Sequence, residues 1–252
     1  MRFDRIIAVR NARTVFKDGD RAIKLFLSAK EKAAAFREGS RLVQAESLGL
    51  PVPTLREITG VEGGWAIVTD FIEGKTMAQV LLEDPEQTEA CMDLFLSAQE
   101  DIFSRRCPDL PSFSEQARRA LLAADLSETM REKLLSLVWQ LPQEDTVCHG
   151  EFEPSNVLLT RDGGVCLLDW SEATRGPRKA DMAWTWLLLR MNGFARAAKR
   201  YRAASRCMGD LDEDEFDRWA ALAAAVHLSG ANARRRSFLL SYVENGVEEE
   251  RT

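Results

Sequence analysis

The sequence predicts an α+β chain, with a small antiparallel sheet and one helix preceding a larger, mainly helical part. Three observations carry that expectation. Residues 3–26 hold short β-rich runs separated by tight-turn residues. The stretch from Ala29 to Leu48 has helical spacing and ends at Gly49-Leu50-Pro51. Beyond Thr76, helix-patterned segments dominate and are interrupted by one β-hairpin.

In chain order, Phe3 to Arg10, Thr14 to Lys17 and Arg21 to Phe26 read as three antiparallel strands. Asn11-Ala12 and Asp18-Gly19 supply the turns, the second being a strong hairpin signal. Lys24 stands among apolar residues in the third run, where a lysine snorkels or finds a partner. Ser28 can cap the following helix, with Ala33, Ala34, Phe36 and Leu42 as packing candidates. Glu38 and Glu46 are acids on that helix. Gly49 to Pro53 ends it and leads into a strand. Trp65 to Asp70 reads as a buried strand, with Phe71-Ile72-Glu73-Gly74 as its exit. Thr76 to Leu82, Thr88 to Ser104, Ser114 to Ala124 and Ser127 to Gln140 show amphipathic spacing, and Leu141-Pro142 stops the last of them.

The most informative stretch runs from Val147 to Trp170. Two apolar runs flank Arg161-Asp162-Gly163-Gly164, whose residues tolerate a positive φ, so a β-hairpin is expected. His149-Gly150-Glu151 and Asn156 precede the first strand, and Asp169-Trp170-Ser171 follows the second. A carboxylate, an amide five residues on and a second carboxylate are the groups that phosphoryl transfer uses. One orients the accepting hydroxyl, and the others are hard oxygen ligands for a divalent cation.

This pattern resembles the aminoglycoside phosphotransferase and choline kinase group, whose loop reads H-G-D-x-x-P-x-N and whose metal motif reads D-W or D-F. Pro154 and Ser155 fit it as well. The resemblance implies a two-lobe protein-kinase-like fold, with a nucleotide-binding lobe over 1–72 and a catalytic and substrate lobe over 73–252. It also implies a set of roles. Lys24 would hold the α and β phosphates of ATP and pair with Glu38, or less well with Glu46. The carbonyl of Asp70 and the amide of Ile72 would meet the adenine. Glu151 would be the catalytic carboxylate that orients the acceptor hydroxyl and accepts its proton, Asn156 and Asp169 would bind Mg²⁺, and Asp181, in Gly176-Pro177-Arg178-Lys179-Ala180-Asp181, would brace the loop. The late helices would build the acceptor site, where the family's acidic residues receive cationic substrates.

One departure from the family stands out, with a second oddity at Glu153; a missing Gly-rich loop is common in the group. Glu151 replaces the family's Asp and carries the carboxylate on one more methylene. A displacement of about 1 Å can cost on the order of 100-fold in a positioned reaction. No Gly-rich loop joins the first two strands, so phosphate cover is left to backbone amides or to Arg10 and Arg13. Glu153 adds a further carboxylate to the loop.

Composition sets the outer bounds. The chain has 252 residues, 45% hydrophobic and 29% charged, with a net charge of −6. That supports a sizeable core and argues against a global attraction to nucleic acid. No apolar run reaches the length of a membrane span, and the first residues do not read as a signal peptide. Five dispersed cysteines form no metal pattern and are expected to be buried, reduced thiols of a cytoplasmic protein. Trp184, Trp186 and Leu187 to Leu189 are expected in the core, and His227 in a core or interface. Arg196 to Arg206 is basic and Asp210 to Asp217 acidic, as solvated faces usually are, in a tail of two or three helices. The expected function is ATP- and Mg²⁺-dependent phosphorylation of a hydroxyl on a small molecule, with no nucleic-acid or membrane partner. The alternative is a nucleotide-binding module that regulates a partner; a general interaction protein is the third reading.

Overall fold

The computed structural model describes residues 5–10, 13–209 and 211–248. The expected turn at Asn11-Ala12 and the last four residues of the chain lie outside them. In chain order the elements are β1 (Arg5–Arg10), β2 (Arg13–Asp18), β3 (Arg21–Phe26), α1 (Lys32–Ser47), β4 (Leu55–Val61), β5 (Gly64–Asp70), β6 (Gly74–Thr76) and α2 (Met77–Glu83). Then follow α3 (Thr88–Ser104), α4 (Phe113–Ala123), α5 (Glu128–Gln140), β7 (Val147–Cys148), β8 (Val157–Thr160), β9 (Val165–Leu167) and β10 (Thr174–Arg175). The chain continues through α6 (Arg178–Met191), α7 (Ala195–Gly209), α8 (Glu213–Val226) and α9 (Ala233–Glu248). No helix among the described residues is long and apolar enough to cross a membrane.

The chain divides into two compact units, Met1–Leu82 with Ser155–Glu172, and Glu83–Pro154 with Ala173–Thr252. The expected boundary at Ile72 falls inside the first unit. The physical reason is pairing: β6 lies antiparallel to β8, and β8 to β9, so the hairpin joins the N-terminal part.

In the first unit a five-stranded antiparallel sheet has the order β1-β2-β3-β5-β4. The two-residue period of β3 sorts its side chains. Ile23 and Leu25 pack with Ala66 and Val68 on one face. Phe26 packs with Ala35 and Ile67 on the other, and Lys24 shares that parity. The side of α1 that turns inward carries Ala35, Glu38, Gly39, Leu42 and Ala45. Gly39 has a packing reason, because a Cβ there would collide with Ile58 Cδ1 of β4.

Several expectations are corrected here. Ser28 caps a short 3-10 turn, Ala29–Glu31, through its Oγ, which accepts from the Lys30 amide; the α-helix begins only at Lys32. Phe36 is 45% exposed and Ala33 also faces solvent. The Phe36 ring lies edge-on to Trp65 of β5, 5.5 Å between centroids, at the margin of the sheet. Four cysteines are buried free thiols as expected, but Cys207 is exposed.

The second unit is built on α3, α6, α7, α8 and α9, with the β7–β10 ladder at one side. Trp184, Trp186 and Leu187 to Leu189 are buried in α6 as expected. His227 stacks flat on Trp184, with rings 3.5 Å apart and 4° from parallel. Its pKa falls to about 3, because burial and the nearby Arg235 both oppose the imidazolium. A polar chain threads the apolar interior: Tyr201 Oη donates to Gln99 Oε1, and Gln99 Nε2 donates to Thr185 Oγ1 at 3.0 Å. Among the described residues the tail forms three helices, α7, α8 and α9.

Candidate active site

The first unit brings four charged side chains together. Lys24 Nζ donates to Glu38 Oε1 at 2.6 Å and to Asp169 Oδ1 at 3.0 Å. Arg13 Nη1 reaches Glu38 Oε2 at 3.4 Å while its guanidinium lies over the Phe26 ring. The arrangement follows from parity. Lys24 projects from the same face of β3 as Phe26, towards α1, and Glu38 lies on the inward side of that helix. Glu46 is not among the partners of Lys24.

Burial opposes a charge on Lys24, but Glu38 and Asp169 outweigh it and raise its pKa. Burial pushes the Glu38 carboxyl up; Lys24 and Arg13 pull it back, while Asp169 adds repulsion. One ammonium thus stands between two carboxylates that would repel each other without it.

Asn156 and Asp169 lie at the same end of the β8–β9 hairpin. Val157 pairs with Leu167, and the Leu168 amide donates to the Asn156 carbonyl at 2.8 Å, so Asp169 is one residue beyond that closing bond. The hairpin turn adopts the expected form, with Gly163 at φ 86°. Asp169 itself has φ 61°, the only non-glycine residue in the left-handed region among the described residues. Such a conformation costs about 1–3 kcal/mol and is held only where surrounding structure fixes it, which occurs most often at functional sites. Trp170 Nε1 donates to the Leu167 carbonyl and its ring is buried, locking the residue that follows Asp169.

The His149–Glu153 loop belongs to the second unit. Asp181, in the first turn of α6, accepts from the amides of His149 at 3.2 Å and Gly150 at 2.7 Å. Gly150 sits at φ 77°, a backbone conformation open to glycine at little cost. Phe152 packs on Phe95 of α3 with ring centroids 4.3 Å apart. The Glu151 amide donates to His149 Nδ1 at 3.3 Å, and the Glu151 side chain is half-buried. Glu153 is engaged by Asn192 Nδ2 just past the end of α6. Glu151 is therefore flanked by anchored residues on both sides. Burial raises the Asp181 carboxyl to about 6 despite the two amides that bind it.

Of the remaining expected site residues, Asp70 ends β5 and Ile72 lies two residues on, in the connection to β6. The Asp70 carboxylate takes Arg56 Nε, and the Asp70 amide donates to the Thr54 carbonyl. The sequence offers Arg13 for phosphate cover; its contact with Glu38 is something only the fold reveals. The loop anchor Phe152–Phe95 carried no sequence signal, since an aromatic in a loop and one in a helix are unrelated until they touch.

A lysine on the third strand, salt-bridged to a helix glutamate and to an aspartate just past a hairpin, is the arrangement of the protein-kinase-like phosphotransferase fold. Solved structures agree. The chain is similar to aminoglycoside phosphotransferase APH(4)-Ia, with TM-score 0.74, 14% identity, and coverage of 99% of this chain and 96% of that one. It is also similar to aminoglycoside phosphotransferase APH(3'')-Id from Streptomyces rimosus (TM-score 0.59, 18% identity, 95% and 91% covered). Choline kinase LicA from Streptococcus pneumoniae gives TM-score 0.62 at 13% identity, with 94% and 91% covered. No curated protein sequence matches. The model of the phosphotransferase enzyme family, APH, matches residues 8–223, and the chain belongs to that family.

Proposed function

We propose that the protein transfers a phosphoryl group from ATP, with Mg²⁺, to a hydroxyl of a small molecule. The observation that carries this reading is Lys24 held between Glu38 and Asp169 at 2.6 and 3.0 Å. An ammonium shared by two acids can give up a share of its contacts to phosphate oxygens. A thermostable mutant of the similar APH(4)-Ia forms a ternary complex with AMP-PNP and hygromycin B, which supports a nucleotide and a small-molecule acceptor here.

The residues fit the cation. Asn156 and Asp169 offer an amide oxygen and a carboxylate at one end of the hairpin, and oxygen donors of this kind suit Mg²⁺. When bound, Mg²⁺ neutralises charge on the transferring phosphoryl group. Lys24 binds phosphate, and Glu38 holds Lys24 in line. The carbonyl of Asp70 and the amide of Ile72 receive the adenine. Glu151 orients the acceptor hydroxyl and takes its proton. In this reading residues 1–72 serve the nucleotide and residues 73–252 the catalytic loop and acceptor.

One feature favours a second reading, a nucleotide-binding module with weak or no turnover: Glu151 stands where the family has Asp. The test separates the two. Thermal shift with ATP should depend on Mg²⁺, and Glu151→Gln should cut kcat by about 100- to 10,000-fold while leaving ATP affinity nearly unchanged. A Gln variant as active as the parent on the best acceptor overturns the role of Glu151. Equal ATP shifts with and without Mg²⁺ overturn the metal assignment.

A further inference from the structure

A cavity of about 980 Å³ opens among α6, α7, α8 and α9 in the second unit. Its volume is that of a site for a drug-sized molecule. Trp186 and Tyr242 form an aromatic wall, their rings edge-on at 5.4 Å. The charged lining consists of Arg190, Lys199, Arg202 and Arg206 against Glu213 and Asp217, a surplus of two positive charges.

Pairing decides which charges remain available. Both carboxylates are spent internally: Glu213 binds Arg202 at 2.6 Å and Arg206 at 3.2 Å, and Asp217 binds Arg202 at 2.8 Å. The Arg190 guanidinium lies 5.3 Å from the Trp186 ring centroid and within electrostatic reach of Tyr242, and neither its side chain nor that of Lys199 has a hydrogen bond or ion pair among the described residues. The Tyr242 hydroxyl likewise makes no hydrogen bond among them. The cavity therefore presents two uncommitted cations and a phenol beside an apolar wall, while its acids are neutralised. That charge suits an anion and disfavours a polycation.

The cavity also shares a helix with the loop that carries Glu151. Asp181, at the start of α6, holds the His149 and Gly150 amides, and Asn192, two residues past Arg190, engages Glu153. We infer that this cavity binds a small organic anion, a carboxylate or phosphate ester bearing hydroxyl groups, through Arg190 and Lys199 with its carbon skeleton against Trp186 and Tyr242. The inference stands apart from the phosphotransferase reading and names the ligand class of this cavity, an anion where the acidic run of the sequence alone suggests a cation.

The test is direct binding by calorimetry, which needs neither nucleotide nor turnover. The probes are D-gluconate for a carboxylate, inorganic phosphate for a phosphate source, D-glucose as a neutral control and hygromycin B as a cation. D-gluconate or phosphate should bind, and the arm that binds more tightly identifies the anionic group. Arg190→Glu with Lys199→Glu should weaken that binding at least tenfold, and Lys199→Gln, a milder change at an exposed position, should weaken it severalfold. Arg218→Glu, exposed on α8 outside the cavity, should leave it unchanged. Absence of anion binding, equal affinity for glucose, tighter binding of hygromycin B, or an affinity indifferent to Arg190 and Lys199 overturns the inference. Glu151→Gln should keep anion binding intact, so loss of turnover with retained binding bears on the enzymatic reading alone.

Discussion

Two buried helix carboxylates, Glu38 in the first unit and Asp181 in the second, are 6% and 4% exposed, yet they are satisfied in opposite ways. Glu38 is met by side-chain cations, Lys24 and Arg13. Asp181 has no ion pair among the described residues and is met by two backbone amides and the neutral side chain of Gln99. Cations on long side chains can be redistributed when a phosphate enters; backbone amides cannot move without moving the loop. The first arrangement suits a group that must exchange partners, the second a group that fixes geometry. The pKa values follow: burial raises both carboxyls, but Lys24 offsets the effect at Glu38, whereas dipoles alone leave Asp181 at about 6.

The largest expected effect tests the fixed member. Asp181→Ala leaves two buried amides without their acceptor and should cost about 2–6 kcal/mol in urea unfolding, at roughly 1–3 kcal/mol per orphaned donor. Glu38→Ala should cost less, because Lys24 keeps Asp169 and Arg13 keeps its place over Phe26. A Glu38 variant less stable than the Asp181 variant breaks the comparison.

Next in size is the pH dependence. The folded-state pKa of Asp181 lies above its ordinary value, so between pH 3.8 and about 6 the folded protein holds a proton that the unfolded chain has released. Stability from this group is then full below pH 3.8 and is lost as pH rises towards 6, by on the order of 2–3 kcal/mol at about 1.4 kcal/mol per pKa unit. Other carboxylates, such as Asp162, whose pKa is lowered chiefly by the Thr160 hydroxyl, slope the opposite way. The quantity to measure is therefore the difference in unfolding free energy between wild type and Asp181→Asn across that window. A difference independent of pH removes Asp181 as a titrating brace.

The smallest effect sharpens the mobile member. Lys24→Ala and Glu38→Ala should each weaken ATP binding, and the double variant should weaken it by less than the two losses combined. A coupling of about 1 kcal/mol is expected for residues in contact. Strict additivity in a binding titration would detach Glu38 from the function of Lys24.

Local pattern went a long way in this chain. The Asp18-Gly19 turn, the hairpin over Val157 to Leu167 and the helix from Thr88 to Ser104 are readable because turn chemistry and periodicity act between near neighbours. Lys24 was conspicuous for the same reason, a cation amid apolar strand residues. Phe36 misled, because size and apolarity do not say which side of a helix faces the sheet. That side was chosen by small residues, Ala35, Gly39 and Ala45, which let α1 approach β4 and β5.

The sequence by itself determined the family motif and most of the element order, both of which rest on short-range spacing. Only the tertiary structure decided which acids are spent. The contact of Arg13 with Glu38, the commitment of Glu213 and Asp217 to Arg202, and the freedom of Lys199 each depend on distances between residues far apart in the chain or on different helices. Charge composition is additive along a sequence, but ion pairing falls off within a few ångströms. An acidic run can therefore end as a neutralised rim while the cations beside it set the sign of the cavity.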